Sequence, residues 1–280
     1  MKNIFSAVSF LVHIRKDTEA RIENLITIIN FYHKMCKDTQ FIIIEDDNKS
    51  TNVQERLKKE VNYDNEDVQY YFHENGGIYQ RPLVYNIASK KTDREIIVSQ
   101  DTDVIIKPEQ LLFSAGKLIN TPKLGIMIPY NGLSFFVKEH VKKEFIESLN
   151  YNTLTKYIPN EKRVYFQDNN VLVGNTQSVG GCVMFNHEAY KQFGGYNPNF
   201  IGWGYEDHEI INRATKMGFN IGRYNNKYAF LWHLPHHGPG SDKKDKDNPY
   251  YQRNAQLGQM VKNMTYEQVK NYQATWNDLL

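Results

Sequence analysis

Four short apolar, β-branched runs fall in the first part of the chain, and segments of helical spacing separate them. Ala7 to Val12, Phe41 to Ile44, Val68 to Phe72 and Glu95 to Ser99 read as buried strands, since each is too short for a packed helix and most are rich in Ile and Val. Between them, Glu19 to Met35 carries Ile22, Leu25, Ile26, Ile29 and Phe31 close to a helical period. Val53 to Val61 and Leu83 to Ser89 read as shorter helices, and Asn75-Gly76-Gly77 as a break. Strand–helix alternation with short links restricts the chain to a mainly parallel sheet covered by helices on both faces. Such sheets bind ligands outside the carboxyl ends of their strands. Three of the four strands end there in polar or charged residues: His13 and Arg15, then Glu45 to Asp47, then Asp101 and Asp103. That edge is where a nucleotide site is expected.

The second half is less regular. Lys123 to Pro129, Gly180 to Phe185 and Phe219 to Arg223 read as strands, and Glu209 to Met217 as a helix. Tyr130 to Val179 has weak periodicity and reads as part helix, part loop. Asp247 to Leu280 reads as one or two helices on the outside. The expected class is therefore α/β, a Rossmann-like mixed, mainly parallel sheet flanked by helices. One domain is expected over 1–240, with a nucleotide-binding half (1–105) and a second half (106–240), followed by a helical extension (241–280).

A length of 280 residues fits one large α/β domain. A net charge of +2 without a clustered basic face gives no reason to expect a nucleic-acid partner. The run Ser241 to Asp247 mixes signs and reads as a solvated loop. Two cysteines, Cys36 and Cys182, make no disulfide framework and suit a reducing compartment. No run approaches the ~18 apolar residues that span a bilayer, and the N-terminus lacks a signal-peptide pattern. The expected location is cytoplasmic, with peripheral contact at the inner membrane face left open.

Three segments can carry chemistry. Asp101-Thr102-Asp103 places two carboxylates at a strand end, where they can ligate Mg²⁺ or Mn²⁺ and leave positions open for phosphates; a solvated turn is the other reading. Gly202-Trp203-Gly204-Tyr205-Glu206-Asp207-His208-Glu209 sets three acids beside an indole. Helix capping accounts for one acid, whereas a sugar site accounts for all three, with a carboxylate as hydroxyl acceptor or general base. Trp232-His233-Leu234-Pro235-His236-His237 offers three histidines, of which one could complete the coordination of a metal held by Asp103; surface histidines before a Gly-Pro-Gly loop are the other reading. Arg81 reads as an ordinary surface arginine or as a phosphate contact, Asp46 and its neighbours as a turn or as a nucleobase or ribose contact, and Gly180-Gly181 as a close backbone approach or a bulge.

The segment Gly180-Gly-Cys-Val-Met-Phe-Asn-His-Glu-Ala-Tyr-Lys-Gln-Phe-Gly-Gly-Tyr196, followed by Gly202-Trp-Gly-Tyr-Glu-Asp207, resembles the second signature of the β-1,4-galactosyltransferase group and of the galactosyltransferase modules of bacterial chondroitin-type polymerases. With Asp101 and Asp103 in order upstream, the resemblance runs from about Ser6 to His237. It implies a GT-A fold and a metal-dependent transfer of a hexose or N-acetylhexosamine from a UDP-sugar to a saccharide or lipid-linked glycan, in surface-polysaccharide synthesis. Carried over position by position, it implies Asp103 and His233 as metal ligands and Asp101 at the donor's ribose or sugar. Asp207 becomes the general base, Glu206 a binder of sugar hydroxyls, and Trp203 a wall between donor and acceptor. His13, Arg15 and Arg81 would surround the nucleotide, with Asp46 and Gly181 on the donor side.

Tyr205 and His208 depart from the family's usual glycine and acid, which bears on acceptor preference. Ser178 stands where galactose-specific members carry a bulky aromatic, which implies room for an N-acetyl group and a UDP-GalNAc donor. Inversion by single in-line displacement is the implied mechanism. A retaining GT-A enzyme and a catalytically silent nucleotide-sugar or glycan binder are the alternatives. A nucleotidyltransferase would normally show a Gly-rich loop near the first strand, and Val12 to Asp17 contains no glycine.

Overall fold

The computed structural model describes residues 3–61, 67–156, 171–175, 178–236 and 250–279. A 3₁₀ turn leads into β1 (Val8–Ile14), then α1 (Glu19–Met35), β2 (Gln40–Asp47), α2 (Val53–Glu60), β3 (Val68–Glu74), α3 (Arg81–Ser89) and β4 (Ile96–Gln100). Every residue of β1 and β4 is buried, and all of β2 but its last. That burial is why these strands read as continuous apolar runs rather than alternating ones. Next come β5 (Val104–Ile106), α4 (Pro108–Asn120), β6 (Leu124–Ile128), β7 (Ser134–Val137), α5 (Glu139–Ser148), α6 (Tyr151–Thr155) and β8 (Val171–Asn175). The described chain ends with β9 (Cys182–Asn186), α7 (His187–Gln192), α8 (Glu206–Lys216), β10 (Asn220–Arg223), β11 (Leu231–His233), α9 (Tyr251–Asn263), α10 (Tyr266–Gln273) and a 3₁₀ segment.

Among the described residues, seven strands form one sheet in the order β10-β6-β9-β4-β1-β2-β3. All neighbours are parallel except β9, which runs antiparallel to both β4 and β6. A second sheet has the order β5-β11-β7-β8. Alternate side chains of the large sheet feed two apolar clusters, as the period of two requires. Phe10, Phe41, Ile43 and Val98 join one, together with Phe135 and Trp232 of the small sheet. Leu11, Ile42, Ile97 and Phe185 join the other, under α3 and α8.

The mainly parallel α/β sheet matches the expectation, with differences at the edges. β2 and β3 run on to Asp47 and Glu74, so the acids 45–47 belong to the strand rather than to a turn after it. α8 starts at Glu206 instead of Glu209, so Glu206, Asp207 and Glu209 share its first turn, where the helix dipole favours negative charge. Tyr130 to Val179 contains the strands β7 and β8 as well as helices; runs of four or five residues show no period of their own. The same brevity hid β5 and β11. The charged run Ser241 to Asp247 and His237 lie outside the described residues.

The C-terminal helices are pinned to the body rather than laid loosely upon it. The Asn254 amide donates to Ile201 O (2.8 Å), and the Trp276 indole donates to Gly194 O (2.8 Å). Beneath Trp276 lies the wholly buried Arg213, whose guanidinium meets both oxygens of Glu209 (2.7 and 3.0 Å) and donates to Phe193 O and Gly195 O. Breaking a buried pair of this kind strands the remaining charge and costs about 3–5 kcal/mol. Arg213→Ala is therefore expected to lower unfolding free energy by that amount in urea denaturation; a loss under about 1 kcal/mol would show that the pair is weakly coupled to the fold.

Candidate active site

The Asp101–Asp103 turn joins the two sheets, leaving β4 in the large one and entering β5 in the small one. Buried Gln100 staples it, donating to Asp101 O (3.0 Å) and Val104 O (2.8 Å). β11 pairs antiparallel with β5 so that His233 stands opposite Val104, and Leu234 N donates to Asp103 O (2.7 Å). This register brings His233 Nε2 to 3.5 Å from Asp103 Oδ1. The chain then turns through Leu234 and Pro235, and His236 Nε2 reaches 2.9 Å from Asp103 Oδ2. One ligand atom from each of the three residues lies within 4.8 Å of the others.

This donor set fits a divalent cation. His233 Nδ1 lies 3.1 Å from Leu234 O; a proton on Nδ1 leaves the Nε2 lone pair facing Asp103, a common outer-shell arrangement at metal sites. One carboxylate with two imidazoles favours a transition-series ion over Mg²⁺. Burial works against charge on Asp103, but His233, His236 and Arg21 outweigh it and hold its carboxyl below the usual range. Arg21 itself is braced by Asp17 (2.6 Å) and lies 3.8 Å from Asp103.

Next to this group, Arg81 occupies the centre of three carboxylates. Its guanidinium lies 3.0 Å from Asp101 Oδ1, 3.0 Å from Glu206 Oε1 and 3.3 Å from Asp207 Oδ1. Only 4% of Arg81 is exposed. Arg81 therefore faces carboxylates, where a phosphate contact was expected. Asp101 also accepts from the Tyr85 hydroxyl (3.3 Å). Burial, with Asp103 and Asp207 close by, raises the Asp101 carboxyl despite Arg81.

Asp207 Oδ1 accepts from the Tyr196 hydroxyl (3.0 Å), and its other oxygen presses on Gly180. A Cβ at position 180 would meet that oxygen, so a side chain there requires the Asp207 carboxylate to shift. Gly181 has φ +82° and packs against Leu231. Glu206 is buried and also accepts from Gly204 N (2.9 Å). Glu209, grouped with these acids from sequence, instead turns to Arg213 inside the fold and is not part of the site. Trp203 is 54% exposed and stacks parallel to Tyr251 of α9. The Gly202 backbone donates to Tyr79 O (2.8 Å), which ties this loop to the start of α3.

At the far side of the same edge, Asp46 sits between two imidazoles: His73 Nδ1 at 2.8 Å and His13 Nε2 at 3.4 Å. Tyr79 packs on the His13 ring. Burial dominates at His13 and lowers it; at Asp46 burial is outweighed by the two histidines, and the carboxyl is lowered. Arg15 follows β1, half-buried. Glu45, by contrast, is internal, accepting from Thr51 N (3.0 Å) and from Tyr70. Sequence reasoning missed His73, Tyr85 and Tyr196 and left His236 undecided among three histidines. Tyr196 closes the Gly-Gly-Tyr segment, which was a usable signal; His73 sits near the end of β3 without any.

The two-sheet architecture is that of the GT-A fold. Residues 163–237 match the family model described as the N-terminal domain of galactosyltransferase. Solved structures of similar fold include the catalytic domain of Drosophila β-1,4-galactosyltransferase 7 in complex with xylobiose, with TM-score 0.52, 16% identity, and coverage of 93% of this chain and 82% of that one. A mutant of that Drosophila enzyme in complex with manganese, UDP-Gal and xylobiose gives TM-score 0.51 at 16% identity, again over 93% and 82%. No curated protein sequence matches the chain.

The electrostatics of Glu206 give a test of this geometry. Burial, then repulsion from Asp207, pushes its carboxyl up to about 7, above an ordinary value of 4.5. A group raised in the folded state contributes stability that is present below the unfolded value and lost as pH rises through the folded one. In metal-free protein, the gain in thermal midpoint of Glu206→Gln over wild type is expected to grow from pH 5 to pH 8. A constant difference across that range would mean that Glu206 is ionised throughout.

Proposed function

We propose that the chain is a metal-dependent transferase that moves N-acetylgalactosamine or galactose from its UDP-sugar to a saccharide or lipid-linked glycan, with inversion at the anomeric carbon. The observation carrying this reading is that Arg81 links Asp207 to Asp101, two residues from the Asp103–His233–His236 group. A base and a cation site thus share one strand-end edge. Bound Mn²⁺ would neutralise charge developing on the departing diphosphate. Manganese, UDP-Gal and xylobiose bound to the similar Drosophila enzyme support the choice of ion, donor class and saccharide acceptor.

The chain's own groups have distinct tasks. Asp207 takes the proton of the attacking hydroxyl, with Tyr196 and Arg81 fixing its carboxylate. Trp203, exposed beside it, offers a ring face to a pyranose. Glu206 holds Arg81 and the Gly204 backbone, so its effect on sugar binding runs through the loop that carries Trp203. His13, Arg15 and Asp46 form the nucleotide end, and Asp101 and Gly181 lie between it and the base.

The donor preference rests on Ser178. The Tyr130 hydroxyl lies 2.9 Å from Ser178 Oγ and donates to Gly180 O (2.6 Å), so a small side chain precedes the glycine pair where an aromatic would fill space. UDP-GalNAc is the donor favoured by that room. The two cysteines, both buried and free, suit a reducing compartment, and we propose a cytoplasmic location.

UDP release is expected with Mn²⁺ from UDP-GalNAc in preference to UDP-Gal, UDP-GlcNAc or UDP-Glc, and none with EDTA or in Asp103→Ala. Faster turnover of UDP-Gal would overturn the donor assignment, and EDTA-insensitive release the metal assignment. Asp207→Asn is expected to lower kcat by roughly 10²–10⁴-fold while leaving donor affinity nearly unchanged. Gly180→Ala, which makes the Asp207 carboxylate shift, is expected to lower kcat in the same direction; wild-type kcat in Asp207→Asn would remove Asp207 from the role of base.

A further inference from the structure

We infer that Lys142 and Asn24 are positioning residues for the metal-ligand turn, acting through the carbonyl of Pro235. The inference rests on the reading of Asp103, His233 and His236 as a cation site. Between the two histidines stand only Leu234 and Pro235, so the orientation of two peptide units decides whether both rings face Asp103. Leu234 is held from one side, its N–H donating to Asp103 O (2.7 Å). Pro235 has no N–H to offer, and its carbonyl is the remaining backbone handle. Two side chains from separate helices reach it: Asn24 Nδ2 of α1 at 3.3 Å and Lys142 Nζ of α5 at 3.4 Å.

Both are unusual residues to bury. Asn24 is wholly inaccessible and Lys142 is 2% exposed. Burying an ammonium group is costly unless it is paired and hydrogen-bonded. Its pair is Glu23 Oε2 at 2.6 Å, half in solvent, which also cancels a positive charge that would otherwise stand near a bound cation. Helices α1 and α5 already meet through Phe31 and Phe145, so an apolar residue at 142 would extend that packing. The ammonium adds a grip on Pro235. Trp232, just ahead of the first ligand, is held in a similar way by α6, its indole donating to the Tyr151 hydroxyl (2.9 Å). The segment α5–α6 thus backs the turn from behind.

Outer-shell partners of metal ligands typically carry 10–100-fold in metal affinity. The test is Mn²⁺ binding to the full chain without nucleotide, read as free Mn²⁺ by electron paramagnetic resonance, with the thermal midpoint of metal-free protein measured alongside. Lys142→Met is expected to weaken Mn²⁺ binding by roughly 10–100-fold. Asn24→Ala, a milder change should the first variant fold poorly, is expected to weaken it in the same direction. Introduced on top of His236→Ala, either change should have little further effect, because the turn then has one ligand fewer to orient. Unchanged Mn²⁺ affinity in folded Lys142→Met and Asn24→Ala would overturn the proposal and leave both residues as ties between helices. Wild-type protein that binds no Mn²⁺ would instead overturn the cation site beneath it.

Discussion

A single buried guanidinium holds the edge of the candidate site together. Asp101 ends the path from β4, while Glu206 and Asp207 open α8, far along the chain; without a cation among them, their mutual repulsion in a poorly solvated site would splay the strand end from the helix. Arg81 stands at the first position of α3 with four of its contacts satisfied by these carboxylates. A planar, permanently charged fork suits this task in a way that a lysine would not. The arrangement also divides labour among the acids. Glu206 is raised and internal, Asp207 lies partly buried against Tyr196, and Asp101 faces the turn that leads to Asp103. Charge that would be prohibitive in one place is distributed around one counter-ion.

The second constraint is the pairing of β5 with β11, each three residues long. A slip of one residue in this ladder would turn His233 to the opposite face and separate it from Asp103. So short a ladder cannot hold its register by itself. It is held by packing on either side: Trp232 is wholly buried among Phe135 and Phe230, and Leu234 bonds back to Asp103. The Asp103–His233–His236 group is therefore a product of the small sheet's core as much as of its own side chains.

These two constraints explain how much of the site was legible in the sequence. The long strands announced themselves by composition, and their polar ends marked the edge where His13, Asp46 and Asp101 do converge. Asp207 was legible because it follows a Gly-Trp-Gly turn that brings an indole beside acids. What stayed hidden depends on contacts across the fold. Arg81 reads as an ordinary basic residue until three distant acids are seen around it. Glu209 reads like its neighbours until the helix starts at Glu206 and turns it inward to Arg213. The choice of His236 follows from a turn geometry that no spacing rule supplies, and the support from α5 and α6 comes from a stretch with no usable period.

The position of β9 has a consequence for how the chain reaches this state. It lies inside the large sheet, between β4 and β6, yet it is the ninth strand in chain order among the described residues. During synthesis β1 to β4 can pair among themselves, but the free edges of β4 and β6 stay open until residues 182–186 leave the ribosome and slot in antiparallel. Pairings of such separation in sequence form slowly, and an apolar strand edge left open is a template for other chains. The molecule is thus most vulnerable to self-association late in its synthesis, and a shortened chain lacking β9 would carry that vulnerability permanently.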